Sequence, residues 1–437
     1  MIPGRANPPT TLGRRALLGL GLSAGLVAAT GCGRSQSTGG GTGTGKLRAT
    51  WWGNETRQAN TLKIIEAFKA VKPDVTISPE FTDWAAYWDK LATQVAGNGA
   101  PDIIQMDEKY VREYGGRGAL LDLNGKVDVS KFAPGTVEPG QTDTGLMAIN
   151  AGVNAPVAMV HPKVFAAAGV EPPDDTSWTW DELIKVAAAV TKGSPAGTFG
   201  MGSLISNDAA FSAFLRQRGK ALFTPTGLAF DVADATDWYT YNLEVMNAKA
   251  GQPASVVAEE DGQSLDQGAF ATGRLGFGFA WSNQVSAYDN ASGEDIALRR
   301  YPSEAGRAAE TKLWYKASQF WSISSKTGDP DAAVAFVNFL VNSTESGKIG
   351  LTERGVPPNT EVRAAIESEL NASDKKVIAF LDAIKPELGD TPLAPPIGAG
   401  NLPDVVKRYG QEVLFGQTKP ADAAAKMIDE INANIQK

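Results

Sequence analysis

The alternation of apolar and polar positions divides the chain into a short apolar leader, a patternless stretch and a long body. Lys46-Leu47-Arg48-Ala49-Thr50-Trp51-Trp52 alternates and ends at Gly53-Asn54, which predicts a strand. From Thr56 to Ala70, Leu62, Ile65 and Phe68 recur at helical spacing, and Pro73 stops the run. Val75, Ile77 and Phe81 predict a second strand, and Trp84 to Ala96 a helix closed by Gly97-Asn98-Gly99. Pro101 to Asp107 predicts a third strand, buried through Ile103, Ile104 and Met106. Strand, helix, strand, helix, strand is the wiring of a parallel sheet with crossovers. Ligands of such sheets gather at the carboxyl ends of strands. Here those ends carry Trp52-Gly53-Asn54, Phe81 to Trp84, and Asp107-Glu108.

The texture changes near Asn150. Val157 to Val160 predicts a strand followed by a helix over Pro162 to Ala168. Thr179-Trp180-Asp181-Glu182 is a capping box that starts a helix running through Val190, which makes Trp180 structural. Phe211–Arg218 and Thr236–Ala248 are further helices. Arg274 to Trp281 alternates as a strand, and Phe320 to Ile323 as a crossing one. Asp329-Pro330 opens a helix through Val341, and helices over Pro403–Phe415 and Pro420–Ile435 end the body. No fixed-period repeat and no heptad run is present.

The leader places Arg14-Arg15 before an apolar run of 15 residues, Ala16 to Thr30, and then Gly31-Cys32. A spanning helix needs about 20, so this run reads as an export signal over residues 1–31. Small residues before Cys32, the only cysteine, resemble a bacterial lipobox, with Ala29 and Thr30 departing from its commonest form. The paired arginines resemble a twin-arginine export signal. Residues 33–45 are almost entirely Gly, Ser and Thr, so 32–45 reads as a lipid-anchored flexible tether with a reach of about 20 Å. Removing residues 1–31 takes away Arg5, Arg14 and Arg15 and no acid, so the formal charge of −8 becomes −11. Such a body disfavours nucleic acid and anionic membrane surfaces as partners. Roughly 390 residues exceed what one core serves, so two lobes are expected.

Enzymatic constellations are mostly missing. His161, the single histidine, is followed by Pro162 and reads as a surface or loop residue. One His and one lipid-bearing Cys leave no usual zinc site and no Cys/His or Ser/His catalysis. No phosphate-binding loop and no calcium loop is present, so no cofactor or metal is expected. Asp107-Glu108 is the remaining carboxylate candidate, but neighbours on a strand point to opposite faces. The ten tryptophans are the positive signal. An indole face stacks on the apolar C–H face of a pyranose while Asn, Asp, Gln and Arg meet its hydroxyls. For any single Trp, core packing is the commoner role; of Trp51 and Trp52, one should face the core and the other the ligand.

Several segments together resemble the family 1 extracellular solute-binding proteins, the sugar-binding proteins of ABC importers related to maltose-binding protein. These are Trp51-Trp52-Gly53-Asn54 with Arg57, Asp83-Trp84 through Gln94, Ala100-Pro101-Asp102 through Asp107, Ala280-Trp281-Ser282-Asn283, Ser318-Gln319-Phe320-Trp321, and Glu353-Arg354-Gly355-Val356-Pro357. The resemblance implies an α/β, two-lobed periplasmic-binding-protein-like fold with a hinge and an interlobe cleft. It assigns 46–152 plus 320–358 to the N-terminal lobe and 153–319 plus 359–437 to the C-terminal lobe. Trp52, Asn54, Trp84 and Asp107 would contact ligand from the first lobe, and Trp281, Asn283 and Trp314 from the second. Gln319, Trp321 and Arg354 would lie near the hinge. It further implies a monomeric, non-enzymatic protein on the outer face of the cell membrane, passing a carbohydrate to an ABC permease. An extracellular glycan hydrolase and a binding protein for a peptide are the alternatives. Arg57 and Arg354 are the arginines that would read an acidic sugar.

Overall fold

The computed structural model describes residues 45–53, 55–260 and 263–435. The leader, Cys32, nearly all of the tether and Asn54 lie outside the described residues. The first sheet opens with Lys46–Trp52 (β1), Thr76–Thr82 (β2) and Ile103–Met106 (β3), joined by helices Glu55–Val71 (α1) and Trp84–Ala96 (α2). β1 pairs in parallel with both β2 and β3, as the wiring predicts. Helix Glu108–Gly116 (α3) follows, then a hairpin of Gln141–Thr142 (β4) and Gly145–Leu146 (β5). Ile149–Asn150 (β6) and the late strand Phe320–Ile323 (β13) complete the sheet in the order β2-β1-β3-β13-β6, with β13 antiparallel to both neighbours.

Period-two alternation packs this sheet on both faces. Leu47, Ala49 and Trp51 of β1, Ile103 of β3, and Trp321 and Ile323 of β13 join Ile64, Ile65 and Phe68 of α1 on one face. Trp52, Ile104, Met106 and Phe320 join Tyr87 and Leu91 of α2 and Val111 and Tyr114 of α3 on the other. Trp51 is fully buried and Trp52, one residue on, belongs to the opposite face.

The chain reaches the second sheet through Val153–Asn154 (β7) and Pro156–Val160 (β8). Helices Pro162–Ala168 (α4), Trp180–Gly193 (α5) and Asp208–Gln217 (α6) surround Phe199–Met201 (β9), Leu275–Trp281 (β10) and Ala297–Arg299 (β11). The sheet order is β11-β8-β10-β9, with β8 antiparallel to β10 and β11 and β9 parallel to β10. Its core extends from Val153 to Ile435 and includes Val377, Phe380 and Ile384. The predicted capping box is present, with Glu182 N donating to Thr179 Oγ1 and Thr179 N to Glu182 Oε2, and Trp180 is buried beneath it. His161 is fully buried, not exposed: Pro162 starts α4, and the ring packs edge-on against Phe270 at 5.6 Å.

Three segments run together where the two sheets meet. Lys316–Ala317 (β12) pairs with β7, Ala151 N donates to Gln319 O, and Val153 and Val356 exchange both backbone bonds. Their approach is so close that a Cβ on Gly152 would lie 1.8 Å from Arg354 O. Helix Thr360–Ile366, which the expected division gives to the second lobe, packs on Thr344–Gly350 of the first through Val362 against Gly347.

Candidate ligand-binding site

A cavity of about 500 Å³, within the range of small-molecule sites, opens beside these crossing segments. Trp52 and Trp84 line it from the first sheet, and Trp281 and Trp314 from the second. Trp52 occupies the carboxyl end of β1, and Trp84 begins α2 because Asp83 caps that helix, accepting from Ala86 N. Their rings meet edge to face at 5.0 Å, and Trp84 remains 42% exposed, with an indole face available. Opposite, Trp281 ends β10 and meets Trp314 edge to face at 6.3 Å.

Asp107 and Glu108 both line the cavity, against the expectation that they diverge. The strand stops at Met106, Asp107 becomes the cap of α3, accepting from Lys109 N, and Glu108 is the first helical residue. A carboxylate is favoured at both positions by the helix N-terminus. Glu108 Oε2 lies 3.2 Å from Lys316 Nζ on β12, and that ammonium sits 5.1 Å from the centre of the Trp281 ring. Burial pushes the Glu108 carboxyl above its ordinary value; Lys316 opposes this, while Asp107 and Asp208 add to it. Burial works against the Lys316 ammonium, but Glu108 and Asp107 outweigh it and raise its pKa.

Asn154 Nδ2 donates to Asn283 Oδ1 at 2.8 Å, joining β7 to the turn after β10. Asn154 Oδ1 is buried and has no hydrogen-bond partner among the described residues, although its residue lines the cavity. One face of α6 supplies Asp208, Ser212 and Arg216, spaced four apart so that they stack along the helix. Asp208 has no hydrogen-bond or ion-pair partner among the described residues.

Of the residues expected to contact ligand, Trp52, Trp84, Asp107, Trp281, Asn283 and Trp314 all line this cavity, and Asn54 lies outside the described residues. Gln319, Trp321 and Arg354 sit at the crossing segments but not in the lining. Gln319 and Trp321 are each 2% exposed; Trp321 belongs to β13, which is covered on both faces, and Gln319 immediately precedes that strand. Arg354 donates to Gln105 Oε1 and Thr61 Oγ1 and lies over the Trp321 ring. Burial, helped by Arg57, pulls its pKa down to about 9, with Glu353 opposing. Arg57 is paired with Glu353 at 2.9 Å, so neither arginine that sequence nominated as an acid reader faces the cavity. Polar lining residues that sequence reasoning missed include Lys109, Asn154, Asp208, Ser212, Arg216 and Lys316. Only the α6 set carried a local signal: polar residues every four positions on the apolar run Ala209 to Leu215.

The sequence profile described as bacterial extracellular solute-binding protein matches residues 52–345. A family 1 extracellular solute-binding protein from Alicyclobacillus acidocaldarius subsp. acidocaldarius DSM 446 is 27% identical with a TM-score of 0.69, over 90% of this chain and 98% of that one. A periplasmic oligogalacturonide binding protein from Yersinia enterocolitica, solved with saturated digalacturonic acid, is 20% identical with a TM-score of 0.76, over 89% and 98%. The GacH receptor of Streptomyces glaucescens GLA.O, solved unliganded and with acarbose, is 19% identical with a TM-score of 0.70, over 89% and 99%. The last two likenesses show the fold alone, α/β and two-lobed. No helix among the described residues is long and apolar enough to cross a membrane. The chain belongs to the bacterial extracellular solute-binding protein family.

Proposed function

We propose that this protein captures a mono- or oligosaccharide outside the cell membrane and delivers it to an ABC permease. The observation that carries this reading is the cavity's composition: two tryptophans from each sheet's side, together with the Asn154 acceptor and the Asp208 carboxylate, neither with a partner among the described residues. Indole faces suit the C–H faces of pyranose rings, and carboxylate and amide groups suit hydroxyls. Digalacturonic acid and acarbose, bound by the Yersinia and Streptomyces proteins, are saccharides of this kind. The crossing segments at 150–154, 316–320 and 354–358 would act as the hinge between lobes of 46–152 plus 320–358 and 153–319 plus 359–437. Ligand drives closure only through its higher affinity for the closed form. Cys32 would carry the lipid, and residues 33–45 would tether the monomeric body near its permease.

A thermal-shift screen of the purified full chain against saccharides, short peptides and metal ions tests the reading. Stabilisation by saccharides alone is the expected result; stabilisation by peptides alone would replace it with the peptide reading. Asp107, Glu108 and Asp208 converge on one cavity, so reducing-end release is measured alongside, and multiple turnover would favour the hydrolase.

A further inference from the structure

The cavity is electrically divided, and among the described residues no carboxylate lies within ion-pair distance of the arginine at its cationic end. Asp107, Glu108, Asp208 and Lys316 cluster at one end, where each acid affects the Glu108 carboxyl. Arg216 sits eight residues beyond Asp208 on the same face of α6, about 12 Å along the helix axis. The one acid that acts on Arg216 is Asp390, an exposed residue.

The guanidinium is held in a built seat. Its Nε donates to Lys312 O at 3.0 Å and its Nη2 to Asp390 O at 2.5 Å, while its carbon lies 5.1 Å from the centre of the Trp314 ring. Gly389 leaves the room: a Cβ there would come within 2.6 Å of Nη2. Two carbonyls and an indole face orient the cation without neutralising it. The other arginines with comparable shielding have carboxylates, Arg57 on Glu353 and Arg300 on Asp175 and Glu387. Arg216 has no ion-pair partner among the described residues, and burial pulls its pKa down, a measure of how little water compensates its charge. Of its five donors, two are occupied, which leaves both Nη1 hydrogens and one on Nη2. An Nη1–H and an Nη2–H together match the two oxygens of a carboxylate.

We propose that Arg216 is the specificity-determining residue for a carboxylate on the ligand, so that the saccharide taken is an acidic one containing a hexuronate ring. This rests on the saccharide reading above. The carboxylate would sit in the Arg216 fork beside Trp314, whose ring is 4% exposed beneath the guanidinium, and the sugar rings would reach the partly exposed Trp281 and the acidic end, where Asp208 and Asn154 accept hydroxyls. The chain's overall negative charge opposes an anion only from outside the cleft, where salt screens it.

The test is calorimetric titration of the full chain with galacturonate, glucuronate and mannuronate di- and trisaccharides, each paired with its neutral methyl ester. The wild type should prefer one acid over its ester by about 10- to 100-fold, the worth of a charge-assisted hydrogen-bonded contact. In Arg216→Gln that acid-to-ester ratio should collapse toward one. Arg216→Lys keeps the charge but loses the fork, and should retain only part of the ratio; near-UV circular dichroism of each variant shows that the fold is intact. Equal affinity of the wild type for acid and ester, or a ratio that survives Arg216→Gln and falls instead in Lys109→Gln, overturns the assignment while leaving saccharide binding standing. Binding of no saccharide, acidic or neutral, overturns both readings.

Discussion

Replacing Lys316 with Met tests whether the cavity's charges are held by pairing. Its Nζ lies 3.2 Å from Glu108 Oε2, with side chains 18% and 17% exposed. At that distance and an effective dielectric of roughly 20, the gross attraction is about 5 kcal/mol, much of it cancelled by desolvation of both ions. The pair is therefore worth little against an apolar replacement of both partners. Removing the cation alone is different. Glu108 stays shielded, with Asp107 and Asp208 close by, and the loss should be about 3 kcal/mol. Urea denaturation measures it, and Glu108→Gln with Lys316→Met should recover most of the deficit. Acid offers a second handle. The Glu108 carboxyl is already held above its ordinary 4.5 by burial, so the folded state binds its proton more tightly than the unfolded one. Such a group's stabilising contribution is complete below the unfolded value and is lost as pH rises through the folded value. Loss of Lys316 enlarges that upward displacement, so the variant's deficit against wild type should be greatest near about pH 8 and shrink toward about pH 5. A double variant no more stable than the single, or a deficit that grows on acidification, would refute the reasoning.

Two further outcomes follow from the scaffold. Gly152→Ala places a Cβ 1.8 Å from Arg354 O and should cost roughly 2 kcal/mol or more in urea denaturation, because backbone must move; an unchanged midpoint would show that the crossing segments are looser than described. His161 is fully buried with neither ring nitrogen partnered among the described residues, and burial pulls its pKa below the ordinary 6.5. The stability this neutral ring contributes is present above that value and lost as pH falls, so His161→Leu should flatten the melting-temperature decline between about pH 7 and pH 5. An equally steep decline in the variant would place the acid sensitivity elsewhere.

The first half of the N-terminal sheet was legible because its signals are local. β1 begins and ends where alternation stops, and Gly97 follows the last residue of α2 as the sequence predicts. Trp52 and Trp84 were legible as lining residues because strand ends and helix starts of this wiring gather on one side, whereas Trp281 was implied by the family resemblance. Asp107-Glu108 was misread through extrapolation of a strand pattern by two residues; Asp107 followed by Glu108 is also a helix-start signal, and the helix it opens is mostly polar. β7 and β12 span two residues each, too short to show any period, so Asn154 and Lys316 gave no local sign. Trp321 and Gln319 lie at the crossing segments near the expected hinge but outside the cavity lining, Trp321 because its strand is covered on both faces. Arg216 depends on the carbonyls of Lys312 and Asp390, 96 and 174 residues away, and no local pattern encodes that convergence.

The most direct test of the central claim is calorimetric titration of wild type, Trp84→Ala and Trp281→Ala with the saccharide that stabilises the protein best in the thermal-shift screen. Trp84 and Trp281 line opposite sides of the cavity, and neither is fully buried. Saccharide capture by stacking predicts that each truncation weakens binding by about 30-fold, roughly 2 kcal/mol for an aromatic anchor. Affinity unchanged in both variants would contradict it.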